Sequence, residues 1–126
     1  MEPVVHLGHQ TQVTLYVARA GERPRTCPLW IVRVDDHACL RALSGTGSWW
    51  YRQITTAPAQ LWCAEGIVRA RFDPVRDPVV LDRIDSAYEE KYGLGWPGPV
   101  GFITAPAARR ATLRVVVAGV DGTTPA

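Results

Sequence analysis

Lysine is nearly absent from this chain: Lys91 is the only one among 14 basic side chains, the rest being arginine. Against 12 acidic groups these leave a formal net charge of +2, well short of the clustered positive field on which nucleic-acid binding relies. The cysteines, Cys27, Cys39 and Cys63, are odd in number and lack any CxxC spacing. That excludes a paired disulfide framework and points to reduced thiols packed as small hydrophobes. No apolar run approaches the roughly 18 residues of a membrane span. The N-terminus lacks the basic start and apolar stretch of a secretory signal, so a cytoplasmic protein is expected. GxSxG, HExxH and Walker loops are missing as well, and no catalytic residue is identified. His6 and His9 share an HxxH spacing without a third ligand nearby, so no metal site is expected. His37 follows two aspartates in a turn signal and is read as solvated.

What is present is an ordinary folded composition, 47% hydrophobic and 21% charged over 126 residues, enough for one domain and one core. Residues 11–18 alternate, with Val13, Leu15 and Val17 on one side, the period of a strand. Residues 21–28 carry glycine and two prolines and read as a loop. Leu29 to Val34 is apolar on both faces apart from Arg33, the mark of a strand covered on both sides, by a helix or by a partner subunit. A turn at residues 35–37 returns the chain into a strand over 38–43. Residues 44–48 form a glycine loop, and 49–54 a short helix capped by Ser48. Two short strands, 60–64 and 67–72, meet at a turn over Glu65 and Gly66. Asp77 and Pro78 open the clearest helix, stopped at Gly93, with Tyr88, Lys91 and Tyr92 read as packing and pairing groups. Residues 93–101 are too rich in glycine and proline for regular structure. Residues 112–117 give a last strand, and 121–126 a frayed tail.

This order of mostly hairpin-linked strands, about six in all, predicts a small antiparallel barrel with two helices outside it. Two polar stretches stand out for ligand binding: Arg23, Arg25 and Thr26, and Ser44, Gly45, Thr46, Gly47 and Ser48 at a helix start. Hydroxyls, glycine amides and arginine forks suit a phosphate. Trp30, Trp49, Trp50 and Tyr51 lie close by and offer flat surfaces for a planar ring.

The series Arg-Thr-Cys-Pro-Leu-Trp-Ile-Val (25–32), Leu-Arg-Ala-Leu-Ser-Gly-Thr-Gly-Ser-Trp-Trp-Tyr-Arg (40–52), Asp-Ser-Ala-Tyr-Glu-Glu-Lys-Tyr-Gly (85–93) and Ala-Thr-Leu-Arg (111–114) resembles an uncharacterised bacterial domain family. Such domains are similar to the deazaflavin-dependent nitroreductases and, more distantly, to the pyridoxamine phosphate oxidase group of FMN-binding split barrels. The resemblance implies a mainly β fold, a six-stranded antiparallel split β-barrel with two or three flanking helices over residues 11–118. Residues 1–10 form an N-terminal extension and 119–126 a flexible tail. It also implies a homodimer with FMN or a deazaflavin coenzyme in a groove. The cofactor-binding residues it implies are Arg23, Arg25, Thr26, Pro28, Trp30, Ser44, Gly45, Gly47, Ser48, Trp50 and Arg52. Where the nitroreductases have a Gly-Arg-Lys-Ser-Gly type of loop, this chain has Ala-Gly-Glu-Arg-Pro-Arg, which lacks the lysine and adds Glu22.

The implied function is an oxidoreductase passing hydride from the reduced ring to a small organic acceptor, seated beneath Trp96 or Tyr92. The alternative is a non-catalytic dimeric binder of a small molecule or flavin. A barrel for single-stranded nucleic acid is disfavoured by the weak charge.

Overall fold

The structure is a computed structural model and describes residues 11–18, 21–64 and 66–121. His6, His9, Glu65 and residues 122–126 lie outside these. The described chain is mainly β: one curled antiparallel sheet of seven strands, a half-barrel, with four helices. The strands are β1 (Gln12–Val17), β2 (Arg25–Trp30), β3 (Val32–Val34), β4 (His37–Arg41), β5 (Ala59–Cys63), β6 (Gly66–Pro74) and β7 (Thr112–Asp121). Their order across the sheet is β2-β1-β5-β6-β7-β4-β3.

Seven strands appear where six were expected because the arm read as 29–34 begins earlier and is broken. Arg25 and Thr26 pair with Val17 and Tyr16, so they stand in a ladder and not in a loop. Pro28 is tolerated because β2 is an edge strand, where a missing N–H costs no ladder bond. Strand β7 runs to Asp121 and pairs Gly119 with Arg69 and Asp121 with Ile67, so residues 119–121 belong to the sheet and not to a tail.

Only Ile31 separates β2 from β3, although these two form opposite edges of the sheet. One run of chain therefore joins both margins, and the sheet must curl until they meet at Ile31. Residues at such a break lose ladder partners, and buried backbone groups need others. Ile31 is fully buried. Its N–H donates to the Tyr92 hydroxyl at 3.2 Å, and its carbonyl accepts from Lys91 Nζ at 2.6 Å. The Tyr92 hydroxyl also lies 2.9 Å from that carbonyl and 2.6 Å from the Thr11 carbonyl. The end of the long helix thus does the packing and pairing expected of Tyr88, Lys91 and Tyr92. Burial pushes the Tyr92 phenol up to about 12 and the Lys91 amine down to about 8.

The helices are α1 (Tyr51–Ile54), α2 (Pro78–Tyr92), α3 (Pro97–Ile103) and α4 (Pro106–Arg110). Helix α2 starts as the sequence predicts, with Asp77 accepting from the Val79 N–H at 2.9 Å. Ser48 does not cap α1; its hydroxyl donates to the Gly45 carbonyl at 2.9 Å, and Trp50 holds the cap position without a side-chain bond. Helix α3 replaces part of the stretch read as irregular, and α4 forms where the sequence reading places no element. Each opens on proline, and proline is no breaker in a first turn, where the missing N–H would have no partner and its fixed φ suits the helix.

Two clusters hold the layers together. The barrel interior is filled by Val13, Leu15, Ile31, Leu40, Leu61, Phe72 and Leu113 among others. A second cluster joins Val32, Val34 and Cys39 on the outer face to Ile84, Tyr88 and Tyr92 of α2 and to Val100 and Ile103 of α3. Each such buried aliphatic or aromatic side chain contributes about 1.5–3 kcal/mol. The apolar outer face of residues 29–34 is therefore covered by the chain's own helices, and the two-sided burial needs no partner subunit.

Candidate functional site: an aromatic-walled cleft at the open seam

Because β2 bonds to β1 alone among the described strands, the half-barrel stays open between β2 and the segment that follows β4. A cleft of about 540 Å³ fills this opening. Strand β2 supplies Cys27, Pro28, Leu29 and Trp30, the segment after β4 supplies Leu43, Ser44, Ser48, Trp49 and Trp50, and α3 lends Pro99 and Ile103. The size falls within the roughly 300–1,000 Å³ usual for small-molecule sites.

Of the residues expected to bind a cofactor, Pro28, Trp30, Ser44, Ser48 and Trp50 come together here. Arg23 and Arg25 line a smaller adjoining hollow of about 80 Å³, with Val17, Glu22 and Gln53. Trp49 lines both spaces. The Arg25 guanidinium lies 3.8 Å from the centre of the Trp49 ring, a cation–π contact. The two stretches singled out in the sequence, far apart along the chain, therefore meet at Trp49.

Thr26, Gly47 and Arg52 are exposed and Gly45 is buried, and none of these four lines either space. The glycine segment is not an open phosphate cradle. Gly45 donates its N–H to Ala42 at 2.9 Å, and Ser48 donates to Gly45 at 3.1 Å, so the turn is wound in on itself. Helix α1, one turn long, adds almost no dipole. Gly45 has φ +82°, a left-handed conformation that favours glycine.

Trp30 stacks on Tyr92 with ring centres 4.1 Å apart and planes within 3°. Tyr92 is 1% exposed, so it buttresses Trp30 and cannot cover an acceptor as expected. Trp96, 47% exposed, tilts against both rings and stays accessible. The Cys27 thiol is raised by partial burial, opposed by the nearby Arg25 charge, and donates weakly to the Pro28 carbonyl.

Arg41 is the cleft-lining residue that sequence reasoning missed. It lines the cleft yet is 1% exposed. Its guanidinium donates to Thr112 Oγ1 at 2.8 Å, to the Ile103 and Leu81 carbonyls at 3.2 Å each, and to Asp85. Asp85 is shared with Arg109 at 2.7 Å, which also pairs with Asp82 at 2.7 Å. The only signal was an arginine inside an apolar strand, a charge that must be paired when buried. With four of its five N–H donors engaged in these bonds, it ties β4 and β7 to α2 and α3 and sets the back wall of the cleft.

Among the described residues, no group of three His, Cys, Asp or Glu side chains is placed to hold a metal ion, and no helix is long and apolar enough to cross a membrane.

An open antiparallel half-barrel with a ring-sized cleft at its seam defines the class of fold. Residues 4–115 match the model of a family described as "Uncharacterized protein conserved in bacteria (DUF2255)", and the chain belongs to that family. Its fold is similar to that of an FAD-binding protein from Mesorhizobium loti, with 20% identity and a TM-score of 0.58 over 90% of this chain and 86% of that one. An FAD-binding protein from Mycobacterium smegmatis gives 13%, 0.56, 92% and 86% for the same measures. A provisionally assigned pyridoxamine 5′-phosphate oxidase from Listeria innocua gives 10%, 0.62, 94% and 92%. No protein with a curated description matches the chain. The bacterial family and the oxidase-like relatives expected from the motifs are both found.

Proposed function

We propose that the half-barrel is a split barrel whose seam cleft holds the ring of a flavin or deazaflavin. On this reading the protein is a reductase passing hydride from the reduced ring to a small organic acceptor. One observation carries it: an apolar cleft of about 540 Å³ with Trp30, Trp49 and Trp50 in its lining and an edge strand along one side. Indole faces suit a flat ring, and the unpaired backbone groups of an edge strand suit the polar rim of a heterocycle. The fold likeness to two FAD-binding proteins supports the same reading.

The residues that would hold the group are Pro28, Trp30 and Trp50 against the ring and the Ser44 and Ser48 hydroxyls at its polar edge. Arg25, with Arg23, would meet the phosphate beyond Trp49. A reduced flavin or deazaflavin supplies the hydride itself, so the protein's part is to orient it and keep water out. No side-chain acid or base is needed for that step. A second copy of the chain would cover the exposed Leu43, Trp96 and Phe102, giving a homodimer with a cytoplasmic role and no nucleic-acid partner.

Tryptophan quenching during titration with FMN, FAD and the deazaflavin coenzyme tests this. Saturation at micromolar ligand is expected, and no saturable change with any of them rejects the reading. Arg25→Ala should weaken FMN by about 1.5–3 kcal/mol, the worth of a charge-assisted bond, while leaving riboflavin unchanged because it has no phosphate. Among the described residues of the cleft only Arg41 and Cys27 carry titratable groups, which also suits a non-catalytic flavin carrier. Saturable binding without oxidation of the bound reduced ring by nitroaromatic or quinone acceptors would decide for the carrier.

A further inference from the structure

A second hollow, of about 420 Å³, lies on the far side of the β3–β4 hairpin, between the end of β6 and the start of α2. We propose that it is a binding site for a small organic anion, a carboxylate carried on an apolar body. The floor is apolar, with Val34, Cys39, Val75 and Val80, and Val34 and Cys39 are almost wholly buried. Three aspartates, three arginines and His37 also line it, and the bonding of the charged groups decides which sign of charge an incoming ligand meets.

Two of the acids are ion-paired and the third caps a helix. Asp35 makes a two-pronged pair with Arg83, at 2.7 and 2.5 Å, and Asp77 accepts from the Val79 N–H. Asp73 is held by Arg71 at 3.3 Å. The cations are less fully committed. Arg76 has no hydrogen-bond or ion-pair partner among the described residues, and Arg114 reaches Asp73 only at 3.5 Å, the long limit of such a bond. Two guanidiniums on different elements, one unpartnered and one loosely held, therefore offer forked donors over an apolar floor. That is the donor chemistry suited to a carboxylate, whereas a cation would meet one carboxylate without a cationic partner, that of Asp77, which is engaged at the start of α2. The site shares no lining residue with the seam cleft, so it stands apart from the flavin reading.

Amide chemical-shift titration with benzoate, benzyl alcohol and benzylamine separates the possibilities. Benzoate should move the Val34, Cys39, Val75 and Val80 signals to saturation, with the two other probes at least tenfold weaker. Arg76→Gln, at an exposed position, should weaken benzoate by roughly tenfold or more, and Arg76→Lys should restore part of the loss. Val80→Trp should abolish binding by filling the hollow. Unchanged benzoate affinity in Arg76→Gln, equal binding of benzylamine, or shifts confined to the seam cleft would each overturn the proposal.

Discussion

Arg41 and Asp85 make an asymmetric pair whose two halves should not cost the same when removed. The Arg41 side chain is fully buried while that of Asp85 is 24% exposed. Arg41→Met keeps most of the aliphatic volume and leaves Asp85 partly solvated and still paired with Arg109 at 2.7 Å. The loss is then a few charge-assisted bonds, about 2–3 kcal/mol. Asp85→Leu instead strands a guanidinium with no solvent and no anion, the situation that costs about 3–5 kcal/mol. Arg41→Met combined with Asp85→Leu removes both charges, and Arg109 keeps Asp82. The double variant should therefore be more stable than Asp85→Leu alone by about 1 kcal/mol or more. Urea unfolding followed by tryptophan fluorescence at neutral pH gives all three values from one slope. Arg41→Met proving costlier than Asp85→Leu, or strict additivity in the double variant, would refute the reasoning that the buried cation is the expensive partner.

Alkaline stability should fall in two overlapping steps. The folded-state values of Cys39, raised by burial from 9.0 to about 11, and Tyr92, raised from 10.0 to about 12, favour the neutral forms. Their contribution is whole below pH 9 and is lost as pH climbs to 12, on the order of 2–3 kcal/mol each. Lys91, lowered by partial burial from 10.5 to about 8, acts with the opposite sign between those values, its effect reduced by solvent screening of the exposed part of the side chain. Urea midpoints between pH 8 and 11.5 check this, and a midpoint still rising above pH 10.5 would contradict it. Gly45→Ala should cost about 1–2 kcal/mol through its left-handed backbone, since its added methyl would meet Ala107 no closer than 3.4 Å. A larger loss in thermal unfolding would mean the turn is packed more tightly than it stands here. Tyr92→Phe should cost about 1–3 kcal/mol by orphaning the Ile31 N–H, read in the same melts.

What the sequence disclosed follows the range of the interaction. Alternation alone placed Val13, Leu15 and Val17 inside, and Asp77 with Pro78 marked the start of α2, because both signals are complete within a few residues. The break at Ile31 was invisible because its partners are 60 and 61 positions away, at Lys91 and Tyr92. Arg41 was hidden for the same reason, its acid lying 44 residues on and its threonine 71. Helix α3 is hidden because a count of proline and glycine over 93–101 ignores where in a turn they fall, Pro97 standing in the first turn. In the cleft, the nearness of Trp30 to Trp49 and Trp50 was a fair inference from composition. The inward turn of the Gly45 N–H, to the Ala42 carbonyl, is not legible in composition, since hydrogen bonding inside the turn decides it.

The passage of one uninterrupted run, residues 25–34, from one margin of the sheet to the other bears on how the molecule comes apart. Peeling β2 from β1 drags on Ile31, and so on the helix end clamped to it and on β3 beyond. Neither margin can fray by itself, so amide protons of β1 and of β4 should exchange with solvent at a common rate, as a single cooperative block. The same tether withholds from neighbouring molecules the loose, splayed strand on which amyloid-like stacking usually begins.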